Sequence, residues 1–236
     1  LSLDGKLRPI RGTLLLAQAA QKAGFTEIFI PTENADEAAL VTGIIVRGVR
    51  TLTELIEHLD KENPKNIIAH VRNEKKKGSE KSDHVVDLAH IKGQDFAKRA
   101  LEISAAGKHN LAMWGPPGTG KTMLAEAFPH LLPELAEQEM LEVTGIHSVA
   151  GILKNEVVTH PPLRAPHHTA SYPSVIGGGS VPKPGEITLA HRGVLFLDEF
   201  PEFDRRVIES LREPLEEGRI RIARSKGHAA FPARFI

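Results

Sequence analysis

The feature that most restricts how this chain can fold is the run GPPGTGKT at residues 115–122, which matches G-x-x-x-x-G-K-[ST] throughout. Glycines permit the backbone angles that turn successive amides toward a phosphate, and a following helix adds partial positive charge at its N-terminus. HNLAMW, at residues 109–114, precedes the loop and predicts a buried strand. MLAEAFPHLLPEL follows it and predicts a helix broken at Pro129 and Pro133. This context predicts a phosphate-binding loop in a parallel α/β sheet flanked by helices.

The loop predicts a nucleotide site that takes ATP and Mg²⁺. We expect Lys121 to contact the β- and γ-phosphates and Thr122 to hold Mg²⁺. The other expected nucleotide contacts come from the loop and the start of the helix: Gly115, Pro116, Pro117, Gly118, Thr119, Gly120 and Met123. The plain alternative is a glycine-rich turn that merely precedes a helix.

A second apolar run ends in two carboxylates. Residues 194–197 are all apolar and lead directly into Asp198 and Glu199. Such a run predicts a buried strand, and ligands of open parallel sheets bind beyond the carboxyl ends of strands. We expect Asp198 to bind Mg²⁺ and Glu199 to polarise the attacking water as a general base. A strand ending in acidic surface residues would look the same, so this interpretation depends on the loop at 115–122.

Composition excludes several classes of protein. Of the 236 residues, 41% are hydrophobic and 25% charged, an ordinary globular mixture. No apolar run approaches the roughly 18 residues of a membrane span. Thirty basic residues balance 30 acidic ones, so nucleic-acid binding would need a local patch. Cysteine is absent, which excludes disulfides here and fits a cytoplasmic location. The chain begins at Leu1 rather than Met, so we expect a fragment.

The N-terminal part predicts a small α/β unit followed by a linker. Through residues 1–60 the short strand patterns TEIFIP and GIIVRGV alternate with helical ones, and Thr51 and Glu54 have capping-box spacing before TELIEHL. Residues 61–86 carry seven basic and four acidic side chains, which predicts a solvated linker or a tether that faces nucleic acid. The apolar residues of the next predicted helix share one face: Phe96, Ala100, Leu101 and Ile103.

A basic hairpin is predicted at the C-terminal end of the chain. Residues 218–236 alternate in two runs around Ser225-Lys226-Gly227, with five basic and no acidic side chains. Contact with DNA phosphates needs only such charges, and four of them are candidates: Arg219, Arg221, Arg224 and Lys226. The alternative is an exposed hairpin that balances residues 196–217, which hold eight acidic and three basic side chains.

Longer strings resemble the magnesium-chelatase-like AAA+ family, in particular its competence-protein branch, which includes ComM and YifB. They are KHN at 108–110, GPPGTGKTMLA at 115–125, IHSVAG at 146–151, RAPHHTAS at 164–171, GEITLAHRGVLFLDEFPEF at 185–203 and LREPLEEG at 211–218. The resemblance covers nearly the whole chain. It implies a partial Lon-protease-like (ribosomal-S5-like) α/β domain at 1–60, a basic linker at 61–86 and an AAA+ core at 87–236 truncated before sensor 1.

The resemblance also implies how such a site is completed. Ile91 and Gly93 match the positions that pack against adenine, although a plain helix start accounts for them equally well. The family works as a ring, here expected to be a hexamer, whose sensor residue and arginine finger would lie beyond Ile236. Lon-type proteases carry a catalytic lysine just after the glycine that corresponds to Gly12, and Thr13 stands there, so we expect no peptidase.

The histidines are predicted to hold a loop segment in place rather than to bind a metal. The spacing of His160, His167, His168 and His191 is not that of helical ligand pairs. We expect Arg164, His167 and His168 to organise an insertion between the two nucleotide motifs, at a subunit boundary.

We therefore expect a Mg²⁺-dependent ATPase, and three uses of the ATP stay open. The first is a DNA motor that acts on branched or recombining DNA in competence or recombination, such as a helicase or branch-migration motor. The second is an assembly factor that remodels a protein partner, as a metal chelatase does. The third is a nucleotide-gated scaffold whose Lon-like domain binds partners.

Overall fold

The computed structural model describes residues 1–60, 62, 65–71, 86–153, 157–179, 182–224 and 227–236. Residues group into two compact units, Leu1–Gly78 with Thr144–Val157 and Ser79–Val143 with Val158–Ile236. The first unit thus includes a segment that the sequence analysis assigns to the ATPase core. Most of the predicted linker at 61–86 lies outside the described residues.

The first unit contains a parallel pair of strands. Its elements before residue 78 are α1 (Thr13–Lys22), β1 (Glu27–Pro31), α2 (Ala35–Ala38), β2 (Ile45–Val49) and α3 (Leu52–Leu59). The two strands form at the two predicted runs and pair from Glu27 opposite Ile45 to Pro31 opposite Val49. Leu14, Ile30 and Val46 are buried in this unit.

Two helices of this unit begin at polar contacts. The Thr51 hydroxyl accepts from the Glu54 amide at 3.2 Å, which is the N-cap half of the predicted capping box. The Glu54 carboxylate accepts instead from the amide of Arg50, the residue before the cap, at 2.8 Å. At α1 the Leu14 amide donates to the Glu37 carboxylate at 2.8 Å. The contacts of Thr51 and Glu37 each satisfy an amide in the first turn of a helix, where no partner lies within the helix.

The second unit is a mixture of helices and short strands. Its elements are α4 (Asp95–Gly107), α5 (Lys121–Ala127), α6 (Glu137–Ala150, which continues past Val143 into the segment of the first unit), β3 (Leu163–Arg164), α7 (Tyr172–Ile176), β4 (Gly177–Gly178), β5 (Lys183–Pro184), α8 (Glu186–Leu189), β6 (Val194–Leu195), α9 (Arg205–Ser210), α10 (Arg212–Glu217), β7 (Arg219–Arg224) and β8 (Gly227–Pro232). β3 and β6 pair in parallel, whereas β4 with β5 and β7 with β8 pair antiparallel. The last pair is the hairpin predicted from the sequence. Among the described residues, none of the helices is both long and apolar enough to cross a bilayer.

Strand β6 contributes to two apolar clusters of this unit. Val194 packs with residues of α4 and α5, including Leu101 and Leu124. Leu195, the next residue, packs instead with residues of α7, α8 and the hairpin, including Ile187 and Ile220. Successive side chains of a strand point to opposite faces, so this one short strand separates the two clusters.

Three expectations drawn from apolar runs are wrong. Residues 109–114 form no strand, and Trp114 is fully exposed, because none of the described strands bonds to that segment. The run at 194–197 is a strand only at Val194–Leu195, the two residues that pair with β3. In α4 the predicted apolar residues do not share one face, because Leu101 is buried whereas Phe96 is 91% and Ile103 52% exposed.

Candidate nucleotide-binding site

The predicted phosphate loop has the backbone conformation that its glycines permit. Gly118 and Gly120 have φ angles of 78° and 81°, in the left-handed region that favours glycine. Helix α5 begins directly after Gly120, so its first amides open onto the loop. The Thr119 hydroxyl donates to the Pro116 carbonyl at 3.0 Å and closes the turn.

Lys121 lies against this loop. Its ammonium donates to the Gly115 carbonyl at 3.0 Å and to the Pro116 carbonyl at 2.9 Å. Thr122 and Met123 are exposed in the first turn of α5. The loop therefore gathers a cation, helical amides and a hydroxyl within a few residues.

The two predicted carboxylates follow β6 on an exposed turn. The Asp198 carboxylate accepts from the Glu199 amide at 2.9 Å. Glu199 has a φ angle of 53°, a left-handed conformation that costs a non-glycine residue on the order of 1 kcal/mol. Both residues are exposed, so their carboxylates are accessible to ligand and water.

One apolar cluster joins the predicted nucleotide motifs. Leu124 and Phe128, next to the loop, pack in it with Val194 of β6 and with Ile91, which is 6% exposed. The predicted adenine-side residue, the loop helix and the acidic strand therefore share one core. Gly93, the other predicted adenine-side residue, has a left-handed φ of 66°. Among the described residues, no hydrogen bond or ion pair joins Lys121 to Asp198 or Glu199.

The donor set fits a magnesium ion. The Thr122 hydroxyl and the Asp198 carboxylate are hard oxygen ligands of the kind Mg²⁺ takes, together with phosphate oxygens and water. Mg²⁺ held by these two residues would neutralise charge that develops on the phosphates.

The residues around 164–168 have contacts that spacing did not indicate. Arg164 donates to both oxygens of Glu186, at 2.6 and 2.8 Å. The His168 Nδ1 lies 2.9 Å from the Glu199 Oε2, and the His167 ring lies against that of His168, with 4.1 Å between centroids and a tilt of 35°. The sequence predicted a role for these residues but not their partners.

The other two histidines named from the sequence have separate partners. The His160 Nε2 lies 3.7 Å from the Glu134 carboxylate. His191 is 2% exposed, with its Nδ1 accepting from the Arg234 amide at 3.0 Å and its Nε2 lying 3.3 Å from Glu142.

Burial and charge perturb this His191 site. Burial lowers the pKa of His191, and nearby Arg192 and Arg234 lower it further, whereas Glu142 opposes the change. Burial raises the pKa of Glu142, but the hydrogen bonds and charge interactions with Arg192 and His191 together outweigh it and leave that pKa lowered.

Two of the four candidate DNA-contacting side chains are paired with acidic residues of α10. Arg219 donates to Glu217 at 2.9 Å, and Arg221 contacts Glu213 at 3.0 Å and Glu217 at 2.7 Å. The hydrogen bond from Arg219 lowers the pKa of Glu217. The side chains of Arg224 and Lys226 lie outside the described residues.

Comparisons with known proteins give the family that this chain matches. The family described as magnesium chelatase, subunit ChlI, matches residues 87–236. The chain is 45% identical to competence protein ComM of Haemophilus influenzae and 41% identical to the uncharacterised protein YifB of Escherichia coli. Each comparison covers all of this chain, with 46% of ComM and 45% of YifB. The chain thus spans about half the length of these relatives.

A solved structure gives a weaker likeness. A chain in a reconstruction of the complex between magnesium chelatase subunits BchI and BchD aligns with a TM-score of 0.47 and 24% identity. It covers 59% of this chain and 49% of that one.

Proposed function

This chain belongs to the magnesium chelatase subunit ChlI family, and we propose that it is the nucleotide-binding core of a ring-forming AAA+ ATPase that hydrolyses ATP with Mg²⁺. The observation that supports this most directly is the shared apolar cluster. It joins helix α5, which follows the predicted phosphate loop, to β6, the strand that precedes Asp198 and Glu199.

In this proposal, separate groups of the chain bind the phosphates, hold the metal and accept the proton of the attacking water. Loop amides and Lys121 hold the phosphates, and their fixed positive ends stabilise the charge that develops there. Thr122 and Asp198 hold the metal. Glu199 accepts a proton from the attacking water, as a carboxylate on an exposed turn can.

The test uses the full-length protein, because this chain spans half of its relatives. We expect Glu199→Gln to lower ATP turnover by roughly 10²- to 10⁴-fold while nucleotide affinity is kept. Lys121→Ala should weaken nucleotide binding itself. Equal turnover in wild type and Glu199→Gln would contradict the proposal.

For the use of the ATP, we propose a DNA motor that acts on branched or recombining DNA. Support comes from the likeness to a protein named for competence and from the basic hairpin β7–β8. ATP turnover by the full-length protein should rise with single-stranded or four-way-junction DNA and fall back as salt rises, because phosphate contacts release counterions. The rise should vanish in Glu199→Gln.

Charge reversal tests the hairpin. We expect Arg219→Glu, Arg221→Glu and Arg224→Glu together to abolish DNA affinity. Arg205→Glu, a matched reversal at an exposed α9 residue paired with Glu209, should leave it unchanged. DNA affinity that survives the triple reversal would remove the hairpin from the proposal.

A second candidate function is remodelling of a protein partner, as in a metal-chelatase-type assembly. The ion pairs of Arg219 and Arg221 with Glu213 and Glu217 favour it, because these arginines are already neutralised locally. ATP turnover that is indifferent to both DNAs would select this candidate. Bound ATP without any turnover would instead favour a nucleotide-gated scaffold.

For residues 1–60 we propose a structural or partner-binding role rather than peptidase chemistry. Thr13, at the position where the Lon resemblance would require a lysine, is buried at the start of α1, and its hydroxyl donates to the Ile10 carbonyl at 3.4 Å.

A further inference from the structure

The parallel pair β3–β6 brings two distant residues to the same edge. Leu163 lies opposite Val194 and Arg164 opposite Leu195, and the Phe196 amide donates to the Arg164 carbonyl at 2.8 Å. Parallel strands run side by side in one direction, so the segments that follow them leave the pair together. His168 comes four residues after Arg164, and Glu199 four residues after Leu195.

The contact between these residues is close and unequal in exposure. The His168 Nδ1 lies 2.9 Å from the Glu199 Oε2, and the side chains are 26% and 63% exposed, respectively. The His167 ring covers one side of His168, with the rings 4.1 Å apart. The Thr169 hydroxyl lies 2.8 Å from the His167 Nδ1. His168 is therefore the more buried and more tightly packed partner, and Glu199 the more exposed one.

An ion pair holds Arg164, the last residue of β3, four residues before His168. Arg164 donates to both oxygens of Glu186, and both side chains are less than one-third exposed. A two-point pair of this kind fixes orientation as well as distance. The segment that carries His168 therefore starts from an anchored residue.

We propose that His168 is a positioning residue for the Glu199 carboxylate, an inference that rests on the proposed ATPase function. A glutamate on an exposed turn samples several rotamers, and only some of them present an oxygen to the attacking water. Holding Oε2 beside the imidazole leaves the other oxygen to accept the proton. His168 itself touches neither nucleotide nor water in this role.

The first test compares three variants of the full-length protein. His168→Ala should lower kcat by roughly 10- to 100-fold, the loss expected from misplacing a catalytic group by about 1 Å. KM for ATP and the Kd of a fluorescent ATP analogue should stay within about twofold of wild type. His168→Asn, whose amide nitrogen can stand near the place of Nδ1, should restore most of the kcat. His160→Ala removes a histidine whose nearest acidic partner is Glu134 rather than Glu199, and should behave as wild type.

The second test asks whether His168 acts through Glu199. In single-turnover hydrolysis of radiolabelled ATP, His168→Ala should cause no further loss in a Glu199→Gln background, because the two changes remove one interaction. An equal loss in both backgrounds, an unchanged or raised kcat in His168→Ala, or no rescue by His168→Asn would overturn the inference. A wild-type protein that does not hydrolyse ATP would overturn the proposed function as well. Normal wild-type turnover that Glu199→Gln removes would leave that function standing even where the His168 variants overturn this inference.

Discussion

Replacing Gly193 by alanine tests how closely β3 and β6 must approach. A Cβ at this position would lie 2.0 Å from the Pro162 carbonyl oxygen and 2.7 Å from the Pro162 nitrogen. These are backbone atoms and cannot swing away, so the two segments would have to separate. Overpacking of this kind costs about 1–3 kcal/mol.

The same change weakens a hydrogen bond. The Val194 amide donates to the Pro162 carbonyl at 2.8 Å, and such a bond contributes about 1 kcal/mol. We therefore expect Gly193→Ala to destabilise the chain by about 3 kcal/mol. At about 2–4 °C per kcal/mol for a chain of this size, Tm should fall by about 6–12 °C. ATP turnover should fall too, because His168 and Glu199 follow the displaced strands.

The assay is thermal unfolding followed by circular dichroism, with Gly24→Ala as the matched control. A Cβ at Gly24 would meet nothing within 4 Å, so only its left-handed backbone opposes the change, at a cost of about 1 kcal/mol. A Gly193→Ala protein that melts within about 2 °C of Gly24→Ala would show that the β3–β6 contact is looser than described.

Three further predictions use the same melting assay. Leu124→Ala, in the cluster that joins α5 to β6, should lower the free energy of unfolding by about 2–5 kcal/mol. Met123→Ala, at a neighbouring residue that is 46% exposed, should change it little. Similar losses in the two variants would show that the cluster does not stabilise the fold. Thr51→Ala should cost about 1 kcal/mol through loss of the α3 cap, and Thr51→Ser should restore most of it. Because burial lowers the pKa of His191 below its ordinary 6.5, the unfolded chain takes up more protons as pH falls through that value. Stability should therefore be lost as the pH falls through about 6.5, and His191→Asn should flatten that dependence. An equal slope in the variant would contradict the assignment.

Local features were predictable from the sequence wherever neighbouring residues decide the conformation. The α3 cap depends on Thr51 and Glu54, three residues apart, and the end of α5 depends on Pro129 just beyond it. The β7–β8 hairpin follows from alternation around a short turn. In each case the partners lie within a few residues, so no distant part of the chain is needed.

Predictions failed where a distant partner decides the outcome. The run at 109–114 is apolar enough for a strand, but a strand forms only where another supplies hydrogen bonds. The run at 194–197 is likewise apolar throughout, but only Val194 and Leu195 find strand partners in β3. An apolar pattern predicts which structures a segment can form, but it does not identify the segment that it will pair with.

By itself the sequence determined the glycine-rich loop at 115–122, the pair of carboxylates after β6 and the family, because each is carried by residue types at short, fixed spacing. Only the tertiary structure decided that Ile91, Leu124 and Val194 share a core and that His168 meets Glu199. Those contacts depend on the register of β3 with β6, which places residues 31 positions apart side by side. Strand register is set by burial and by close approach at Gly193, and these exist only once the chain has folded.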